Sequence, residues 1–131
     1  MSQMRKRVLV FVAAAAVVAT SLAVTLSSGA DVPREIGLEI RGMAFYMDGG
    51  PANPVIQATP GELLRVTVRN ADAGLVHDFA VTTVGVVLRP LQAGASGSVV
   101  FRAPREEGSY EYVCQPHAQM MRGRLDVVAR P

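Results

Sequence analysis

Two hydrophobic patterns divide the chain. Residues 8–26, VLVFVAAAAVVATSLAVTL, form one apolar run without a charge, directly after Arg5, Lys6 and Arg7. Beyond Glu35 the apolar positions come in short runs separated by turn formers, the spacing of strands in a sandwich or barrel. Residues 36–46 make a first run, broken by Gly37 and Gly42, and Asp48-Gly49-Gly50-Pro51 is a turn. Residues 55–58 are a short strand ended by Thr59-Pro60-Gly61-Glu62. Leu64, Val66 and Val68 alternate with Arg65, Thr67 and Arg69, which marks a half-buried strand. After a loop of turn formers at 70–74, residues 76–87 supply one or two strands, and 88–97 read as irregular. Strands follow at 98–102, 108–114 and 123–129, with Ala103-Pro104-Arg105 closing the first. The prediction is an all-β domain, an antiparallel sandwich of seven to eight strands. An N-terminal hydrophobic helix precedes it.

That leading segment has its own logic. A basic flank, an apolar stretch and then Ser27, Ser28, Gly29 and Ala30 have the layout of a secretory signal, with cleavage expected before Asp31. The apolar run exceeds the usual signal core of about 7–15 residues and approaches the roughly 20 that cross a bilayer. An uncleaved N-terminal anchor is therefore the alternative. In both cases the basic residues stay in the cytoplasm and the rest is exported. The absence of a cysteine near the cleavage region excludes a lipoprotein anchor. The expected division is 1–30, signal or anchor, and 31–131, an exported domain in the periplasm or on the outer face of a bacterial membrane.

Composition changes its meaning once this division is made. The 131 residues carry a formal charge of +2. Residues 31–131 hold 10 Arg and no Lys against all 11 acidic groups, so the exported domain is near −1. No basic stripe remains to neutralise phosphates, and nucleic-acid binding loses its support. A domain of this size buries roughly 60–70% of its unfolded surface and can fold without disulfides. The single cysteine excludes a disulfide framework, a CxxC redox pair, a cysteine-rich zinc site and a dinuclear copper-A centre. An immunoglobulin-type sandwich has a similar strand count, and Tyr112, two residues before Cys114, mimics its tyrosine corner. That variant lacks its second cysteine and its tryptophan.

The chemistry-bearing residues fall in two places. His77 opens a strand after the 70–74 loop; Cys114 ends a strand, with His117 after Gln115-Pro116 and Met120 and Met121 beyond. One thiolate, two imidazoles and a thioether are the donor set of a mononuclear blue-copper site. In an extended chain residues three apart are about 10 Å distant between Cα atoms. Two ligands of one ion must be nearer, so the strand has to stop at Cys114 and turn through Gln115 and Pro116, which Pro116 stiffens. His77 must then arrive from an adjacent strand.

The segment Gly108-Ser109-Tyr110-Glu111-Tyr112-Val113-Cys114-Gln115-Pro116-His117-Ala118-Gln119-Met120-Met121-Arg122-Gly123 resembles the cupredoxins, the small blue-copper proteins of the plastocyanin, pseudoazurin and azurin type. It is similar to their aromatic strand, Cys-x-Pro-His loop and Met-x-Gly lead into the last strand. Leu75-Val76-His77-Asp78-Phe79 is similar to the segment bearing their first histidine. The resemblance covers the exported domain and implies a Greek-key β-sandwich with one type-1 copper ion near one end, carrying one electron between Cu(I) and Cu(II). It implies His77, Cys114 and His117 as equatorial ligands and Met121 as the axial one, with Met120 the rival and Gln119 a distant third. The chain departs from the family in two ways. The spacing from His117 to Met121 is nearer the azurin pattern than the plastocyanin one, and Asp78 stands where Asn is frequent. An ionised carboxylate can only accept hydrogen bonds, which bears on how the cysteine loop is braced.

The function expected is electron transfer, with unidentified redox proteins as donor and acceptor. His117, beside Pro116, Ala118 and Met120, would form the contact patch. The protein is expected to be a monomer and not an enzyme, with membrane contact only through residues 8–26. The alternative is a copper carrier or chaperone of the cell envelope, in which Met43, Met47, Met120 and Met121 favour Cu(I) if they cluster.

Overall fold

A computed structural model describes residues 31–130, folded as a two-sheet sandwich of nine strands. In chain order these are β1 (Arg34–Arg41), β2 (Ala44–Tyr46), β3 (Val55–Ala58), β4 (Leu63–Asn70), β5 (His77–Val81), β6 (Val86–Leu91), β7 (Ser96–Arg102), β8 (Gly108–Val113) and β9 (Arg122–Val127). One sheet has the order β2-β1-β4-β7 and the other β3-β9-β8-β5-β6. The only helical turns among the described residues are two short 3-10 segments, Thr82–Val84 and Gln115–His117. The signal or anchor expected at 1–30, and hence its boundary with the domain, lies outside the described residues.

The all-β expectation holds, but the sandwich is not wholly antiparallel as expected. β1 pairs with β4 and β3 with β9 in parallel, strands that are not joined by a hairpin. Two further differences are local. The run at 36–46 is two strands, because Gly42 and Met43 adopt left-handed φ values of 56° and 62° and reverse the chain between β1 and β2. Positive φ at both central residues is the hairpin turn whose twist matches the flanking strands. The second difference is β6, part of which lies in the stretch read as irregular. Arg89 and Pro90 argue against a strand, yet β6 is the outermost strand of its sheet, so the missing Pro90 N–H interrupts no ladder.

Alternation does the remaining work. Ile36, Leu38 and Ile40 from β1 and Leu64, Val66 and Val68 from β4 point inward and are buried. They meet Ile56, Leu125, Val127, Phe79 and Tyr112 of the other sheet. β1 and β4 run parallel, with Glu35 opposite Arg65 and Glu39 opposite Arg69. That register produces outward ion pairs of 3.1 and 3.4 Å. At such exposed positions each contributes only about 0–1 kcal/mol; the sandwich is held mainly by the buried apolar face. At one end of the core Phe45, Phe79 and Tyr112 form an aromatic cluster with ring centroids 5.4–6.0 Å apart. The Tyr112 hydroxyl donates to the Pro54 carbonyl at 2.6 Å, far back along the chain. A tyrosine corner bonds to backbone only a few residues upstream, so the immunoglobulin likeness at this position is superficial. Burial raises the phenol above its ordinary value, which keeps this donor protonated.

Candidate metal centre

β5 and β8 are neighbours in one sheet, and this adjacency brings the two halves of the site together. His77 is the first residue of β5. β8 stops at Val113, Cys114 follows in extended geometry, and the chain turns through Gln115–His117 with Pro116 in the first turn. The loop is closed by its own backbone: Cys114 N–H donates to the Met121 carbonyl at 3.0 Å, His117 N–H to the Cys114 carbonyl at 3.0 Å, and Met121 N–H to the His117 carbonyl at 2.9 Å. A strand that ends in a one-turn loop and resumes as β9 is what the Cys-x-x-His spacing demanded.

The three predicted equatorial residues converge. Cys114 Sγ lies 3.6 Å from His77 Nδ1 and 3.5 Å from His117 Nδ1, and the three donor atoms are within 4.8 Å of one another. An ion held at about 2.0 Å by nitrogen and 2.3 Å by sulfur, in trigonal geometry, sets nitrogen and sulfur about 3.7 Å apart. The donor set therefore fits one soft first-row ion. His77 and Cys114 are fully buried, whereas His117 is half-exposed and offers the site's edge to solvent. Met121 is fully buried in the same core cluster as Cys114, while Met120 is 61% exposed and Gln119 faces solvent. Burial thus favours Met121 over both rivals as the axial thioether.

Two hydrogen bonds brace the cysteine loop from β5. Asp78 N–H points at Cys114 Sγ across 3.5 Å, and the Asp78 carboxylate accepts the Gln115 N–H at 2.7 Å. The acidic residue in place of an amide acts as an acceptor, and the loop supplies the donor it needs. Burial pushes the Cys114 thiol up, with the Asp78 N–H acting in the opposite direction. Nucleophilic thiols are marked by a depressed value, and the Cys114 thiol is shifted the other way.

Residues outside the predicted set complete the site. Asp72, from the loop read as turn formers, sets its carboxylate 3.0 Å from His77 Nε2. Burial pushes that carboxyl up, but hydrogen bonds from the Met43 and Gly42 amides and from His77 outweigh it and hold it below its ordinary value. Asn70 is fully buried and donates to the Leu75 and Leu91 carbonyls at 2.8 and 2.9 Å, which shapes the loop into His77. On the outer side a cleft of about 410 Å³ is lined by Met43, Gln115, Pro116, His117, Ala118, Gln119 and Met120, none of them acidic and none Lys or Arg.

Residues 2–128 match the model of the copper-binding proteins of the plastocyanin/azurin family. The chain belongs to that family. No curated protein sequence matches it, but solved structures share its cupredoxin fold. Reduced auracyanin from Roseiflexus castenholzii superposes with a TM-score of 0.58 at 16% identity, over 72% of this chain and 96% of that one. The metal-binding domain of the Streptococcus pneumoniae Cu(I)-exporting ATPase CopA gives 0.55 at 20% identity, over 72% and 84%. A copper-containing nitrite reductase from Thermus scotoductus gives 0.58 at 18% identity, over 76% of this chain and 28% of that one. These likenesses concern the fold. The family membership, together with the clustered His77, Cys114, His117 and buried Met121, makes this a cupredoxin with the arrangement of a type-1 copper site.

Proposed function

We propose that the protein is an exported one-electron carrier and not itself an enzyme. The observation that carries this reading is the convergence of three donor atoms from two segments, with Cys114 Sγ 3.5 and 3.6 Å from the two imidazole nitrogens. Bound copper supplies the Cu(I)/Cu(II) couple. The protein's part is to keep one donor geometry for both oxidation states. The closed 114–121 loop, the Asp78 brace and the buried His77 do this by leaving the ligands little room to rearrange. His117, at the mouth of an uncharged cleft, offers a short path for the electron to a docked redox protein. Residues 8–26 carry the domain out of the cytoplasm, as a cleaved signal or as an anchor.

Adding Cu(II) to the purified chain tests the proposal. An intense visible thiolate-to-copper band is expected, abolished by Cys114→Ser, with reversible one-electron cycling of the loaded protein. A colourless copper-loaded protein sinks it. Comparing the mass of the exported protein with that of the full chain separates signal from anchor.

Copper delivery is the second reading, and Met43 and Met120 favour it because both line the cleft beside His117. Met47, which packs against the core as Met43 also does, does not line that cleft. Competition with a Cu(I) chelator separates the two: a carrier releases its copper readily, whereas an electron shuttle retains it through repeated cycles.

A further inference from the structure

Three hydrogen-bond donors from two separate segments converge on the Asp72 carboxylate. Oδ1 accepts the Gly42 backbone N–H at 2.5 Å; Oδ2 accepts the Met43 N–H at 3.0 Å and stands 3.0 Å from His77 Nε2. The carboxylate cannot swing away. Its side chain is only 12% exposed, and the Asp72 N–H donates to the Oδ1 of the fully buried Asn70 at 3.0 Å. An ionised carboxylate has no proton to offer, so the imidazole nitrogen facing it must be the one that carries hydrogen. In the neutral ring that leaves the lone pair on Nδ1, the atom 3.6 Å from Cys114 Sγ. The nitrogen needed for an ion is thereby freed by a residue five positions earlier.

We infer that Asp72 is the positioning residue of the centre: it holds His77 as the Nε2–H tautomer, aims Nδ1 at the shared ligand point, and raises the ring's donor strength toward bound copper. The inference rests on the blue-copper reading for its last part only; the tautomer is a property of the copper-free chain. A carboxylate behind a metal-bound histidine makes the ring a better donor. A stronger donor favours Cu(II) over Cu(I), so Asp72 lowers the reduction potential relative to a chain without its charge. The same carboxylate ties His77 to the Gly42-Met43 turn. Met43 holds a φ of 62° there and lines the cleft beside His117. One acidic group thus links the buried ligand to the rim of the exposed one.

A turn cap alone would make the same two bonds to Gly42 and Met43, and the test has to tell these roles apart. Asp72→Asn keeps the shape and one acceptor oxygen but removes the charge; Asp72→Ala removes the acceptors as well. Nitrogen NMR on the copper-free full chain is expected to show His77 protonated at Nε2, and in Asp72→Ala a mixture of both tautomers. Copper-loaded Asp72→Asn is expected to lose Cu(II) affinity by on the order of 10–100-fold, with a smaller loss for Cu(I). Each tenfold excess of the Cu(II) loss raises the potential by about 59 mV for one electron. A wild-type His77 carrying its proton on Nδ1 overturns the inference. So does an Asp72→Asn protein that is merely less stable, with potential and copper affinities unchanged. Were the chain to take up no copper at all, the blue-copper reading would fail, while the tautomer of copper-free His77 would still decide whether Asp72 positions it.

Discussion

Gly123 sits opposite Tyr112 in the β8–β9 ladder, and a side chain there has nowhere to go. A Cβ on Gly123 would meet the Tyr112 ring at 2.2–2.6 Å, and that ring is fully buried with its hydroxyl pinned to Pro54. The glycine two residues after Met121 is thus required by space and not by backbone conformation. Gly123→Ala is expected to cost about 1–3 kcal/mol through overpacking, read by chemical denaturation. In a Tyr112→Leu background the same substitution should cost much less, and an unchanged cost would show that the ring is not the obstacle. The metal ligands were legible at this scale because their residue types are scarce: one cysteine, two histidines and a Met-x-Gly could meet only in one place. Asp72 was not. Aspartate in a loop beside Asn70 and Gly74 has a sufficient local role as a turn former. Its contact with His77 depends on how β4 and β5 leave their sheets, which no local pattern encodes.

Among the elements, the strands that follow strict alternation were readable and those set by their neighbours were not. β3 and β4 emerge where the sequence placed them, since each shows one polar and one apolar face. Residues 88–91 of β6 read as irregular because the strand's tolerance for Pro90 comes from an edge position, a property of the sheet and not of the segment. The turn between β3 and β4 shows a different kind of element-level bond. The Glu62 carboxylate binds Arg34 at the start of β1 at 2.7 Å and accepts the Thr59 N–H at 2.8 Å, clasping the end of β3 to the first sheet. The Arg34 guanidinium holds the Glu62 carboxyl below its ordinary value, against the opposing push of burial. With a folded value below the unfolded one of about 4.3, the clasp contributes in full above that pH and is lost as pH falls through the folded value. Glu62→Gln should therefore cost stability at neutral pH, toward the lower end of about 1.5–3 kcal/mol because Arg34 is partly exposed. The gap to wild type should close on acidification below about pH 4. Parallel pH-dependent unfolding curves for the two proteins would argue against the clasp.

At the scale of the whole molecule the sandwich has two unlike poles. Asp31, which leads into β1, pairs with Arg102 at the end of β7 at 2.7 Å, beside the β3–β4 turn. The metal centre lies at the other end, where β1 and β4 finish and β5 begins. Residues 1–30 therefore join the domain at the pole remote from His117, so a domain tethered through them would present its metal edge away from the tether. The protein's own hydrogen bonds hold the ligands at Asp72 and Asp78, so the copper-free chain should keep its strand content. Copper should then add stability by mass action alone, roughly 4 kcal/mol at a free concentration 1,000 times the Kd, read as a higher Tm that chelation reverses. The cleft around His117 supplies the last expectation. Met120 is exposed there, so Met120→Lys should change stability by no more than about 0.5 kcal/mol. It should leave the visible band and the potential where they were. It would place a charge in the proposed contact surface, and desolvating that charge on docking would oppose association. Electron exchange should slow measurably in stopped flow, whereas Arg105→Ala at the opposite pole should not affect it. Equal rates for wild type and both variants would mean that electrons do not leave through the His117 edge.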